Sequence, residues 1–157
     1  MKKPILMSLL LTPCLTSAMS SGPQEPEPQV PDEGQVNFIA VGDTGTGEEG
    51  QYLVASAIQA VCAEYDCQFA IGLGDNIYEA GVDSADDVQF EMKFEAPYAD
   101  LDFPFYMTLG NHDNGWFSGD GLDNDKGEYQ VDYHYKEDRT SDKWQMPARY
   151  YRFTAPL

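Results

Sequence analysis

The chain has 157 residues, room for one domain, and carries 9 Lys and Arg against 27 Asp and Glu, a formal net charge of −18. A surface this anionic repels nucleic acid and acidic membranes, so neither is expected as a partner. The charge is also uneven: between Val36 and Asp125 the only Lys or Arg is Lys93.

Residues 1–18, MKKPILMSLLLTPCLTSA, place Lys2 and Lys3 before a short apolar stretch that ends in Thr16-Ser17-Ala18. That is the layout of a secretory leader, too short to cross a bilayer as a helix. A second reading takes Leu11-Thr12-Pro13-Cys14, which resembles the lipid-attachment box of bacterial lipoproteins, with Cys14 as the acylated residue. Pro13 departs from that box, so this reading ranks second. Both readings predict an exported protein, secreted or periplasmic in the first case and a lipid-anchored lipoprotein in the second, with no transmembrane segment. Residues 19–35 contain four prolines, four acids and no aromatic residue, the composition of an extended linker rather than of a core. The folded portion is expected over residues 36–157.

Three apolar runs there end in glycine followed by a side chain able to ligate a metal: VNFIAVGD (Val36–Asp43), QFAIGLGD (Gln68–Asp75) and FPFYMTLGN (Phe103–Asn111). Near-continuous hydrophobicity predicts strands of a parallel sheet covered on both faces. Between the first two, Val54, Ile58, Val61 and Tyr65 recur at helical spacing and predict an apolar helix face. Between the second and third, a helix is expected from Ser84, capped with the help of Asp87, carrying Val88, Phe90, Met92 and Phe94 inward and stopping at Pro97. The order β-α-β-α-β predicts an α/β fold whose strand ends share one edge, where ligands of open α/β sheets collect.

The loop after the first strand also spells G-x-G-x-x-G through Gly45, Gly47 and Gly50. As a phosphate cradle it fails, because the pattern starts two residues late and Glu48 and Glu49 occupy the approach. No Lys and Ser/Thr follow Gly47 as a Walker loop requires. Asp43, Asp75 and Asn111 are instead hard oxygen donors suited to di- or trivalent cations. Cys62 and Cys67, five apart, could form a disulfide in an exported protein or remain two buried thiols.

Gly42-Asp43, Gly74-Asp75-Asn76-Ile77-Tyr78 and Gly110-Asn111-His112-Asp113, with the later KWQMPARYYRF (Lys143–Phe153), resemble the calcineurin-like metallophosphoesterases and, more closely, purple acid phosphatases of the small tartrate-resistant type. The resemblance implies the β-α-β-α-β portion of a four-layer αββα sandwich. Most of the superfamily has Asp-x-His in its first motif, whereas this chain has Gly45 at the +2 position. In purple acid phosphatases a tyrosinate takes that ligand role, and Tyr78 stands in the matching place. The resemblance therefore implies a binuclear centre of Fe(III) and a divalent ion (Fe, Zn or Mn), with Asp43, Asp75 and Tyr78 on the first metal and Asp75 and Asn111 on the second. It implies hydrolysis of a small phosphoric monoester by in-line attack of metal-bound hydroxide, with His112 beside the substrate as the catalytic cation or acid. A phosphodiesterase or nucleotide pyrophosphatase of the same superfamily is the alternative activity.

Other candidates point elsewhere. Asp113 could orient the His112 ring or lie on a surface loop. His134 is expected on a loop, Asp120–Glu128 as a solvated acidic loop, and Arg149 and Arg152 in an alternating strand-like run. Family members supply further histidine ligands, in V-x-x-H and G-H-x-H motifs, from a second half. The two histidines of this chain fit neither motif, so it is expected to be the N-terminal half of the domain, or a truncated chain without turnover.

Overall fold

The computed structural model describes residues 34–115 and 126–155, all within one compact unit, Glu33–Leu157. The expected leader, Cys14, the bulk of the linker and Asp120–Asp125 lie outside the described residues. Four parallel strands form one sheet in chain order: β1 (Phe38–Val41), β2 (Phe69–Gly72), β3 (Phe105–Met107) and β4 (Trp144–Gln145). The first crossover is α1 (Glu49–Tyr65), the second a π-helical turn (Glu91–Glu95) with its flanking turns, and the third α2 (Lys126–Tyr135). A short 3₁₀ turn, His112–Asn114, follows β3.

A sheet that advances in one direction through crossovers of one hand places every connection on the same face. Ala55 and Ile58 of α1, Phe90, Phe94 and Tyr98 of the second crossover, and Tyr133 of α2 accordingly share one buried cluster with Ala70, Phe105, Met107 and Trp144. Aromatic edges lock it: Phe94 meets Phe105 and Trp144 edge-on at 5.4 and 4.8 Å, and Phe90 stacks on Tyr133 at 3.7 Å. The opposite sheet face, carrying Phe38, Ala40, Ile71 and Tyr106, is covered only in part. There Phe38 stacks on Phe69, and Phe153 stacks on Tyr106 at 3.7 Å. Phe38 stays 48% exposed, and β1 alternates between exposed and half-buried residues. The expected cover on both faces therefore fails at β1, whereas β2 and β3 carry no exposed residue although all three crossovers lie on the other side.

The helices also differ from the periodicity reading. Helix α1 buries Gln51, Ala55 and Ile58, while Val54, Val61 and Tyr65 are exposed. The inward stripe is set by packing against the second crossover, where Gln51 Nε2 donates to the Lys93 carbonyl at 2.7 Å. No regular helix starts at Ser84. Ser84 Oγ accepts from Asp86 N, Asp87 Oδ1 accepts from Gln89 N at 3.0 Å, and helical backbone begins only beyond Asp87. Phe90 and Phe94 point inward, whereas Val88 and Met92 are exposed. His134 lies on α2 rather than on a loop, with Nδ1 3.3 Å from the Trp144 carbonyl. Lys126–Glu128 open that helix. The Lys143–Phe153 segment contributes only β4, and Arg149 and Arg152 lie on irregular chain beyond it. Cys62 and Cys67 are joined in a disulfide that ties the end of α1 to the start of β2, Cα to Cα 4.8 Å.

Candidate metal centre

The carboxyl ends of β1, β2 and β3 lead into the three glycine-centred loops. Asp43 and Asp75 follow their strands with φ of 55° and 53°, the left-handed region that costs a non-glycine residue about 1 kcal/mol. Such strain persists where surrounding contacts enforce it. Asp43 N donates to the Gly74 carbonyl at 3.1 Å, and Tyr78 N donates to the Gly45 carbonyl at 2.9 Å, which ties the first two loops together. Gly45 makes this approach sterically feasible. A Cβ there would lie 1.8 Å from the Asn76 carbonyl oxygen, so the position that holds histidine in Asp-x-His motifs has no room for a side chain. Gly110 does the same for the third loop, since a Cβ there would lie 2.1 Å from Asp75 Oδ1.

The result is a tight oxygen cluster. The Tyr78 hydroxyl lies 2.8 Å from Asp43 Oδ1 and 3.1 Å from Asp75 Oδ2. Desolvation by burial, then the hydrogen bonds and charges of both carboxylates, push the phenol well above its ordinary range. The other Asp75 oxygen accepts from His112 N at 3.0 Å. Asn111 is exposed and is bracketed by Gly110 and His112, both of which touch the Asp75 carboxylate. The structure thus joins Asp43, Asp75 and Tyr78 directly and sets Asn111 and His112 in the adjoining loop.

The His112 ring lies 4.4 Å from the Tyr78 ring, and its Nδ1 is 2.5 Å from the Glu79 carbonyl oxygen. A carbonyl only accepts, so the Nδ1 proton belongs to that bond and Nε2 is the basic nitrogen of the neutral ring. An open cavity of about 460 Å³ borders the cluster, lined by Asp43, Thr46, Glu48, Tyr78, Glu79 and Lys93. Lys93 donates to the Tyr78 carbonyl and to Gln89 Oε1, and desolvation lowers its pKa against the pull of Asp87 and Glu79.

Two carboxylates, a phenol and an amide would suit a hard cation, because all are oxygen donors and three of them already meet within hydrogen-bond distance. Among the described residues no three His, Cys, Asp or Glu side chains gather as a metal-binding group. A metal held here would need donors beyond the two carboxylates, and Tyr78 and Asn111 are the candidates the sequence offers.

Of the buried supports beneath this cluster, sequence reading named Asp113 but gave it the His112 ring or a surface loop, and it did not single out Gln130. Asp113 is fully buried, not on a surface loop, and does not contact the His112 ring through its carboxylate; instead it accepts from Asn76 N, Ile77 N, Gly110 N and Gln130 Nε2. Burial raises its pKa and these donors oppose the rise. Arg149 pairs with Glu128 and donates to Asn114 Oδ1 at 3.0 Å, bracing the third loop from α2 and the irregular segment.

The structure is similar to that of "GAP50 the anchor in the inner membrane complex of Plasmodium", with a TM-score of 0.59 and 23% identity over 74% of this chain and 35% of that one, a likeness of fold. In sequence the chain is 35% identical to Purple acid phosphatase 4 of Arabidopsis thaliana over 67% of its length and 31% of that protein's. It is 30% identical to Tartrate-resistant acid phosphatase type 5 of Mus musculus over 74% of its length and 35% of that protein's. The chain spans about a third of the length of these curated relatives. The family model of the calcineurin-like phosphoesterases matches residues 36–155, which takes in all three strand-end motifs, and the chain belongs to that family.

Proposed function

We propose that this chain supplies part of the binuclear metal centre of an exported, acid-phosphatase-like phosphoric monoester hydrolase. In this reading Asp43, Asp75 and Tyr78 hold an Fe(III), and Asp75 and Asn111 hold a divalent Fe, Zn or Mn. The observation that carries it is the Tyr78 hydroxyl set between two carboxylates of different strands at 2.8 and 3.1 Å. A phenolate is a hard anionic donor matched to Fe(III), and Tyr78 fills the ligand vacancy that Gly45 enforces. When bound, such a cation pair offsets the charge of the phosphate oxygens and supplies the activated water.

The chain's own residues orient the rest. The backbone of His112 is held by Asp75 Oδ1 and its Nδ1 proton by the Glu79 carbonyl, so in this reading the imidazolium carries its second proton on Nε2 and gives it to the leaving alkoxide. The Tyr78 ring against His112 limits its tilt. The disulfide supports export, since such bonds persist in oxidising compartments. Among the described residues no helix is long and apolar enough to cross a membrane.

The test is Fe(III) titration of the full chain with visible absorption. A phenolate-to-iron band that Tyr78→Phe removes is the expected result. A band unchanged in Tyr78→Phe, or iron binding unaffected by Asp75→Asn, would remove the assignment.

A further inference from the structure

The loops that carry Asp75 and Asn111 meet directly where His112 N donates to Asp75 Oδ1 at 3.0 Å, and beneath that contact a buried polar hub joins them a second time. Asp113 Oδ1 accepts from Asn76 N at 2.9 Å, Ile77 N at 3.1 Å and Gln130 Nε2 at 2.8 Å. Its Oδ2 accepts from Gly110 N at 2.8 Å and from Asn76 N at 3.1 Å. Asn76 is the residue after Asp75, and Gly110 is the residue before Asn111. One carboxylate therefore grips the backbone next to each donor. Gln130, wholly buried on α2, completes the hub, because its Oε1 accepts from Asn76 Nδ2 at 3.0 Å while that same amide donates to the Thr108 carbonyl at 2.7 Å. Asp113, Asn76 and Gln130 are all buried, and the Asp113 carboxylate, the Asn76 Nδ2 and the Gln130 side chain are paired, the condition under which a polar network rigidifies rather than destabilises its surroundings.

We propose that Asp113, seconded by Gln130, is a positioning residue that sets the spacing between the Asp75 and Asn111 loops and so fixes the geometry of the metal centre. The proposal rests on the metal-centre reading given above. The carboxylate itself does not reach the rim; it acts through the amides of Asn76, Ile77 and Gly110. A carboxylate suits the role because it offers acceptors only, and every group facing it is a donor. In Asp113→Asn an NH₂ would confront either the Gly110 and Asn76 amides or the Gln130 amide. In Gln130→Met the volume is nearly kept and only the α2 arm of the hub is lost.

The experiment titrates Mn(II) into the full chain, followed by electron paramagnetic resonance, for wild type, Asp113→Asn, Gln130→Met and the ligand control Asn111→Ala. Amide hydrogen exchange of the metal-free proteins is read in parallel. Partners that orient ligands from behind typically cost about 10- to 100-fold in metal affinity. The expected result is a loss of that order in Asp113→Asn, a smaller loss in Gln130→Met, and faster exchange at Asn76, Ile77 and Gly110, with cooperative melting retained in at least the second variant. A merely structural role would lower the melting temperature and leave Mn(II) affinity at low temperature within about twofold of wild type, and that outcome overturns the proposal. If Asn111→Ala binds Mn(II) as wild type does, the metal-centre reading itself fails and the positioning role falls with it.

Discussion

Gly45 has the least room of any glycine at the site. Its missing Cβ would come within 2.5 Å of three backbone atoms of Asn76 and Ile77, none of which can rotate away as a side-chain tip could. Overpacking against fixed backbone costs about 3 kcal/mol. We therefore expect Gly45→Ala to lower Tm by roughly 10 °C in a thermal melt. Gly45→His should fail to fold rather than restore an Asp-x-His ligand. A well-folded Gly45→His that binds metal more tightly would disprove this steric account. Asp43, Asp75 and Asn111 were legible as candidate donors because a strand-end glycine followed by a donor is a local pattern, whereas Tyr78 and His112 entered through the family resemblance. Asp113 was not legible, although it sits one residue further along. Whether an aspartate in a loop turns to solvent or to buried amides is decided by Asn76, Ile77 and Gln130, and none of these is its sequence neighbour.

At the level of elements, the strands followed from their apolar runs and the helices only in part. Periodicity pointed α1 toward Val54, Val61 and Tyr65, yet the helix buries Gln51, because its amide satisfies both Gly47 N and the Lys93 carbonyl. Helix α2 escaped the pattern altogether because two of its three buried positions are Gly127 and Gln130. The irregular segment after β4 is held by another partner that periodicity cannot show. Tyr151 donates its hydroxyl to the carbonyls of Met107 and Gln145, at 3.0 and 2.8 Å, pinning the segment to β3 and β4. Burial, with Tyr106 nearby, pushes this phenol up to about 12. The folded state therefore holds the proton more tightly than the unfolded chain, whose tyrosine titrates near ~10. The contribution is complete below about pH 10 and is lost as pH rises toward about 12. Tyr151→Phe should cost about 1 kcal/mol at neutral pH. It should also flatten, without abolishing, the fall of denaturant midpoint between those pH values, since Tyr133 is shifted the same way by burial and by Glu95. An unchanged alkaline slope would show that Tyr151 ionises freely in the fold.

For the whole molecule, two properties pull against each other. On one sheet face Phe38 and Leu73 are 48% and 60% exposed beside exposed Ala40 and half-buried Ile71, with the Phe153 and Phe69 stacks as cover among the described residues. Contiguous apolar surface of this kind favours association through that face. Against it stands a net charge of −18, whose mutual repulsion keeps copies apart. The repulsion is screened by salt, with a Debye length of about 30 Å at 0.01 M and about 3 Å at 1 M. Apolar attraction is not weakened by the same salt. The protein should accordingly sediment as a smaller species at low ionic strength and self-associate as salt is raised. Phe38→Lys combined with Leu73→Lys should suppress that association, because each places a solvated charge on the bare face. Tm at low salt should move little, since neither side chain belongs to the buried cluster on the helical side. If the double variant associates at high salt as readily as wild type, the contact lies elsewhere, and the exposed apolar residues of α1, Leu53 and Val61 among them, become the surface to examine.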